Sequence, residues 1–258
     1  MKKSVAFFAG LIVATALSAT DARAAGTVVL RDDFNGSSLN PAVWGVGNWR
    51  LGRTQLGSTP VITGGIARLP FTNYRLQGCE IYTKQNFALG SGVEFEARVR
   101  MVGLPKGLVS AMFTYNTAGS LSDEIDIEIL SKQVASSSGG TPVLFTTWND
   151  WNESTPTYQD GIHHWGQSVF TNGLNVGLFH TWVIRWLPGK TEWLLDGVLV
   201  ATSTKAQPDL ATPYRINFWA PASSWTDAYD ASLKSEPNKR KANTWYYEVD
   251  WVEVRRLP

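Results

Sequence analysis

Along most of the chain apolar and polar residues alternate with a period of two, the pattern of strands that turn one face into a core. The longest clean run is Val93 to Met101, with Val93, Phe95, Ala97, Val99 and Met101 on one face and Glu94, Glu96, Arg98 and Arg100 on the other. Strand-like runs also lie at Val28 to Phe34, Pro60 to Ala67, Glu80 to Asn86, Leu108 to Tyr115, Val143 to Trp148, Thr181 to Trp186, Glu192 to Val200, Arg215 to Trp219 and Trp245 to Val254. In the last of these, Trp245, Tyr247, Val249 and Trp251 share a face. Asn35-Gly36 turns the chain after the first run, and Asp196-Gly197 between apolar pairs signals a hairpin. Ser136 to Gly140 reads as a flexible loop, Trp148 to Trp165 as an aromatic loop lining a site, and Ala220 to Asn243 as a further loop. No segment beyond residue 24 has a helical period, although Ala228 to Ala242 has room for one turn before Pro237. Many strands, Gly- and Pro-rich turns and no internal repeat predict an all-β fold, an antiparallel sandwich or jelly roll.

The same alternation produces the most chemically distinctive stretch, Asp123 to Ser131, DEIDIEILS. Glu124, Asp126 and Glu128 fall on one face of a strand and Ile125, Ile127 and Ile129 on the other. The isoleucines suit a core, so the carboxylates must look into water or a cleft, because unpaired charge is costly to bury. Residues four apart on a strand have Cα atoms roughly 13 Å apart, and a glutamate carries its carboxyl carbon about 3.8 Å from Cα. If Glu124 and Glu128 lean together, their carboxyls approach within roughly 5–6 Å, close to the ~5–5.5 Å between nucleophile and acid in a retaining glycosidase. Asp126 lies between them, able to bond one and push their pKa values apart. The alternative is an amphipathic strand with a solvated acidic face, yet same-face carboxylates with no interleaved base repel one another.

Composition narrows the class. Lys2 and Lys3 precede an apolar run from Val5 to Ala16, and Ala22-Arg23-Ala24 offers a cleavage site, so residues 1–24 read as a signal peptide and 25–258 as a single domain. The apolar run is short for a membrane span and no second one follows, which predicts a secreted protein with no membrane association after cleavage. With 23 Lys and Arg against 22 Asp and Glu, and no basic cluster beyond Lys239-Arg240-Lys241, nucleic acid is excluded as a partner. Cys79 is the single cysteine, so the chain cannot close an internal disulfide. The 12 tryptophans exceed what a core of this size needs, and flat apolar rings suit sugar faces. The adjacent His163 and His164 point opposite ways on a strand and do not form a metal pair.

EIDIE resembles the active-site strand of glycoside hydrolase family 16, the β-jelly-roll retaining β-glycanases with a concanavalin-like sandwich and a cleft on its concave face. The resemblance makes Glu124 the nucleophile, Asp126 its assistant and Glu128 the acid/base. It extends through FNGSSLNPAVW, GCEIYTKQNFALGSGVEFEARVRM, MFTYNTAG, FHTWVIRWLPGKTEWLLDGVLV, INFWAPASSW and YEVDWVEVRR, in family order. The unbulged five-residue spacing is similar to the lichenase and xyloglucan-transferase branches. By position Glu80, Phe113, Tyr115, Trp148 and Trp219 match sugar contacts of lichenases, and Asn217, two residues before Trp219, shares its face. For each aromatic, core packing is the competing reading. His180 in FHTW resembles a structural family histidine. Ser122 stands where lichenases carry Trp, and Thr146 and Trp148 where they carry Asn and Tyr. Lichenases also have a disulfide from near Cys79 to an upstream loop, which must here be held in another way.

The resemblance implies a monomeric secreted endo-β-glucanase acting on β-glucan polysaccharide, with mixed-linkage β-1,3-1,4-glucan as leading substrate. A β-1,3-glucanase or a glucan or xyloglucan transglycosylase is the alternative within the family, and a lectin-like sandwich that binds glycan without cleaving it the alternative outside it. No cofactor is needed for such catalysis. The resemblance also implies a structural Ca²⁺ at Asp250, with the carbonyl of Gly65 among its oxygen ligands. The leader predicts that the secreted chain begins at Ala25. N-terminal sequencing checks this, and an intact Met1 on exported protein contradicts it.

Overall fold

The computed structural model describes residues 25–134, 141–156, 160–171 and 173–258, and the leader expected at 1–24 and the loop at 136–140 lie outside them. The period-two runs become strands β1 (Thr27–Asp32), β2 (Trp44–Val46), β3 (Arg50–Leu51), β4 (Thr54–Leu56), β5 (Val61–Thr63), β6 (Ile66–Thr72), β7 (Gln77–Thr83), β8 (Val93–Met101) and β9 (Val109–Ala118). They continue as β10 (Leu121–Leu130), β11 (Thr141–Trp151), β12 (His164–Thr171), β13 (His180–Leu187), β14 (Lys190–Leu195), β15 (Val198–Ser203), β16 (Tyr214–Trp219) and β17 (Thr244–Arg256). Among the described residues there is no helix; Ala228 to Ala242 contains turns.

Two antiparallel sheets result. One runs β12–β11–β10–β9–β16–β7–β2 and places the carboxylate strand near its middle. The other runs β15–β14–β13–β8–β17, and the long β17 pairs along its far edge with β6 over its first half and β1 over its second. The ribbon β3–β4 joins β7 through a parallel pairing. Between the sheets lies one hydrophobic core. Ile125, Ile127 and Ile129 enter it with Ile81, Met112, Phe145 and Phe218 from their own sheet, against Phe95, Trp182, Trp186, Trp193, Val249 and Val252 of the other. A smaller cluster of Leu56, Val109, Ala111, Phe113, Leu130, Trp219 and Ala228 lies on the outer face of the first sheet, beneath the β3–β4 ribbon and the loop after β16.

The fold follows the alternation except where the backbone bends. The run from Pro60 to Ala67 is not one strand: Gly64 and Gly65, at φ of 60° and 74°, fold it into the β5–β6 hairpin. Asp196-Gly197 turns β14 into β15 with φ of 49° and 78°, both positive as a type I′ turn requires. In β17 a bulge between Val249 and Trp251 reverses the faces, so Val252 and Val254 are buried while Trp251 carries the Arg31 guanidinium 4.1 Å from its ring centroid. Glu94 and Glu96 do point away from the core, yet both are buried; Arg185 covers Glu94 at 2.5 Å and reaches Glu192 at 3.2 Å. The segment from Trp148 to Trp165 is more regular than its composition suggests. β11 continues to Trp151, β12 starts at His164, and Trp165 stacks on Trp193 with centroids 5.6 Å apart.

One buried carboxylate fixes the approach to the carboxylate strand. Opposite Asp123, β11 carries an extra residue, and Asp150 there adopts a left-handed φ of 48°. The Asp123 carboxylate accepts the Asp150 N–H at 2.8 Å and, on its other oxygen, the N–H groups of Asp209 at 2.7 Å and Leu210 at 2.9 Å. It therefore ties β10 to β11 and to the segment leading into β16. Asp123→Ala strands these donors and is expected to cost about 3 kcal/mol, a fall in melting temperature on the order of 10 °C. Thermal unfolding followed by circular dichroism measures it, with Asp123→Asn, which keeps one acceptor oxygen, losing less.

Candidate active site

Strand register arranges the site in rows across the first sheet. Glu124 faces Tyr115 on β9 and Trp148 on β11; Asp126 faces Phe113 and Thr146; Glu128 faces Ala111 and Leu144. One strand further on, Arg215 and Asn217 of β16 lie opposite Phe113 and Ala111, and beyond them Tyr82 and Glu80 of β7 lie opposite Arg215 and Asn217. Of these, the carboxylate trio, Ala111, Phe113, Tyr115, Arg215, Asn217 and Glu80 line a cleft of about 680 Å³. The small side chain of Ala111 leaves room beside Glu128. The ribbon segment Trp49 to Gly52 forms one wall, and Glu153, beyond β11, stands on the other side.

The three carboxyls share the floor of the cleft and none is surrounded by water. Burial first, then the charge of Asp126 and a hydrogen bond to it, then Glu128, push Glu124 well above the ordinary carboxylate range, while Arg215 pulls the other way. Asp126, buried, is pushed up to about 6 by desolvation, against donors that favour its charge: the Thr146 hydroxyl, Glu124, and the Trp148 indole N–H at 3.2 Å. Glu128 is also raised well above the ordinary value, by burial and by Asp126, and among the described residues no cation or donor opposes the shift. Burial, joined at the two glutamates by repulsion from Asp126, thus raises all three carboxyls, and the donors that oppose the shift gather on Asp126. Glu80 is buried as well; burial raises its pKa, opposed by Arg215 at 2.9 Å and the Asn217 amide at 3.3 Å.

Glu80, Phe113, Tyr115, Asn217 and Trp219 all line the cleft with the carboxylate trio. Trp148 is placed differently. Its ring is stacked on His164 with centroids 3.6 Å apart, its edge meets Trp151, and its indole N–H holds Asp126, so it supports a carboxylate and does not line the cleft. Burial lowers the His164 imidazole to about 4, against the pull of Asp160, and keeps it a neutral aromatic surface. His163 turns the other way, with Nδ1 2.7 Å from Asp160. Sequence reasoning missed Arg215, Trp49 and Glu153. Arg215 shares the outward face of β16 with Asn217, but nothing in the strand's own sequence marks its partners; the other two lie on short or irregular segments without a period. Two polar atoms in the lining, Oδ1 of Asn217 and Nε1 of Trp219, are buried without a protein partner. A carbohydrate hydroxyl can donate to the first or accept from the second.

No cysteine pair holds the loop upstream of Cys79, and hydrogen bonds do so. The Gly47 N–H reaches the Glu80 carbonyl, Ser58 N–H that of Gly78, and Arg53 donates to the carbonyls of Leu233 and Asp230. For the calcium site, Asp250 sits at the β17 bulge and Gly65 in the β5–β6 turn. The Asp250 carboxylate is ion-paired with Arg98, whose guanidinium also lies against the Phe179 ring. Among the described residues no three acidic, histidine or cysteine side chains gather around a common point.

An antiparallel β-sandwich with a carboxylate-floored open cleft defines a carbohydrate-active jelly roll. Residues 55–253 match the model of the glycosyl hydrolases family 16, and the chain belongs to that family. It is 32% identical over 152 residues to a "Beta-glucanase" of Paenibacillus polymyxa, a match covering 57% of this chain and 52% of that protein, so it spans about half the relative's length. Its fold is similar to a prokaryotic β-1,3-1,4-glucanase (lichenase) derived from a mouse hindgut metagenome, with a TM-score of 0.65, 22% identity, and coverage of 87% of this chain and 97% of that one. It is also similar to the catalytic domain of an endo-1,3-β-glucanase (laminarinase) from Thermotoga petrophila, with a TM-score of 0.64, 13% identity, and coverage of 91% and 99%.

The raised Glu128 carboxyl makes a stability prediction whose sign is fixed. Folding penalises its ionised form, so its contribution is most favourable below the unfolded-state pKa and is lost as pH rises through the folded-state value. Glu128→Gln removes that loss. At pH 8 the variant should melt above wild type, by roughly 2–4 °C per kcal/mol gained, with the difference shrinking toward pH 4. Scanning calorimetry at the two pH values checks it.

Proposed function

We propose that the protein is a retaining endo-β-glucanase, and the observation that carries this reading is the row of Glu124, Asp126 and Glu128 along one face of β10 at the floor of an open cleft. Burial, joined at the two glutamates by repulsion from Asp126, raises all three carboxyls above the ordinary range, and the donors Thr146 and Trp148 favour the charged form of Asp126 between the two glutamates. Glu124 attacks the anomeric carbon, with Asp126 holding its carboxylate in place. Glu128 gives its proton to the departing glycosidic oxygen and then, as a base, takes one from the water that releases the glycosyl-enzyme. The product keeps the β configuration. The open cleft and the buried Asn217 and Trp219 atoms facing it suit an internal stretch of polysaccharide. A lectin would have no use for three mutually repelling carboxyls.

Mixed-linkage β-1,3-1,4-glucan is the proposed substrate, supported by the unbulged strand and the lichenase-like FTY and NFW blocks. Hydrolysis of β-1,3-glucan is the second reading, favoured by the equal likeness to a laminarinase fold. The leader expected at residues 1–24 makes secretion part of the proposal. Reducing ends released from barley β-glucan, laminarin, xyloglucan and agarose separate these substrates, barley glucan being hydrolysed fastest; faster cleavage of laminarin moves the assignment to the second reading. Proton NMR of the first product should show the β anomer, and an initial α anomer means inversion and wrong roles. Activity should follow a bell against pH, its acid limb set by the Glu124–Asp126 pair and its alkaline limb by Glu128. Glu124→Ala should lose nearly all turnover and, given azide, release an α-glycosyl azide.

A further inference from the structure

Asp126 is gripped by two donors that converge on one of its oxygens. The Thr146 hydroxyl and the Trp148 indole N–H, the latter at 3.2 Å, both meet Oδ2. The same N–H lies 3.3 Å from the Thr146 oxygen, so the three groups form a closed set. Thr146 and Trp148 are alternate residues of β11 and share its outward face. Their grip fixes the plane of a buried carboxyl that is hydrogen-bonded to Glu124.

An indole keeps such a bond only if its ring stays in one rotamer, because a turn about χ1 or χ2 carries the N–H away. The restraint comes from β12. His164 is the register partner of Trp148, and its buried imidazole lies on the indole with centroids 3.6 Å apart and planes at 22°. Trp151 presents its ring to Trp148 at 72°, with centroids 5.1 Å apart. The start of β12 is itself fixed by Asp160, whose Oδ1 accepts the N–H groups of Ile162 at 2.9 Å, His163 at 2.7 Å and His164 at 3.0 Å. A chain of direct contacts therefore runs from the Asp160 turn through the imidazole and the indole to the central carboxyl of the trio. We propose that His164 and Trp148 are positioning residues for the reaction: the imidazole pins the indole, the indole N–H with the Thr146 hydroxyl pins Asp126, and Asp126 so held keeps Glu124 aligned for attack. The inference rests on the reading of Glu124 as nucleophile and Asp126 as its assistant. It gives a stacked pair outside the cleft lining a share in catalysis, and it predicts that Trp148 contributes to turnover and not to sugar binding.

Three variants test it, on barley β-glucan and on aryl β-oligoglucosides with a dinitrophenyl or a plain phenyl leaving group. Trp148→Phe keeps a ring in the stack but lacks the N–H, His164→Ala removes the stack, and His164→Phe restores a flat ring. Trp148→Phe should lower kcat by about ten- to a hundredfold, the range expected for a lost bond to a charged, orienting group, with KM little changed. His164→Ala should show a loss of the same kind, and His164→Phe should recover most of it. The fall in kcat/KM should be equal for the two aryl substrates, because a dinitrophenyl group leaves without help from an acid and the defect lies with the nucleophile. A raised KM with unchanged kcat makes Trp148 a sugar platform and overturns the inference. A loss that vanishes with the dinitrophenyl group, or a lower melting temperature with unchanged kinetics, overturns it as well. If near-UV circular dichroism shows that Trp148→Phe does not fold, the comparison of His164→Ala with His164→Phe decides by the same criteria. A wild-type protein that cleaves none of the substrates removes both this inference and the hydrolase reading, whereas an active wild type whose variants keep their kcat removes this one alone.

Discussion

Everything in the site depends on one constraint, the anchoring of β10 by Ile125, Ile127 and Ile129. All three are fully or almost fully buried between the sheets. Burying each contributes on the order of 1.5–3 kcal/mol, and a slip of one register position would exchange the isoleucines for carboxylates in the core. The apolar face therefore dictates where the charged face goes. Neighbouring strands then bring their own outward residues to fixed places in rows, so Phe113, Arg215 and Tyr82 accompany Asp126, and Asn217 and Glu80 accompany Glu128. The catalytic strand is positioned by its inert side.

The same anchoring makes tolerable an arrangement that is electrostatically unfavourable. Three carboxyls side by side raise one another's pKa, and their desolvation adds to the cost. Two devices limit the damage. Donors from β11, the Thr146 hydroxyl and the Trp148 indole, serve Asp126. Arg215, from the other side of the strand, serves Glu124. Among the described residues Glu128 receives neither, and burial together with Asp126 keeps its carboxyl well above the ordinary range.

The elements with the cleanest alternation were legible in the sequence nearly to the residue: Val93 to Met101 matches β8, and the carboxylate run lies within β10. What the period could not reveal lies where the backbone leaves it. The β17 bulge sends Trp251 to the other face, two glycines divide β5 from β6, and the extra residue opposite Asp123 depends on hydrogen bonds from segments 27 and 86 positions away. Trp148 was readable as an aromatic near the site, but a sugar platform and a buttress for Asp126 differ in which way the ring edge points, and His164 decides that from a separate strand. Arg215 escaped because an arginine on a mixed strand says nothing of the Glu80, Tyr82 and Trp49 that surround it until β7 and β2 are docked.

The balance of charge in the cleft bears on the kind of glycan that fits. Glu80, Glu124, Asp126, Glu128 and Glu153 face it, against Arg50 and Arg215, and Arg215 is already paired with Glu80. Even with Glu128 protonated, the site retains a negative field that works against uronic or sulfated chains. The apolar surfaces have the opposite preference. Trp49 is among the most exposed aromatics of the fold, and Trp219 stands beside Trp225 with centroids 5.9 Å apart at the far end of the same wall. Rings of this kind attract the C–H faces of unsubstituted pyranoses. Charge and ring placement therefore agree on a neutral glucan, and they do so independently of the carboxylate motif. Discrimination between linkages is a finer matter of chain shape. The rigid β7–β16–β9 floor is held by sheet pairing, whereas the β3–β4 wall is held largely by Arg53, Thr54 and a few backbone hydrogen bonds. That wall is the element through which the cleft can be fitted to one glucan bend or another without disturbing the strand that carries the chemistry.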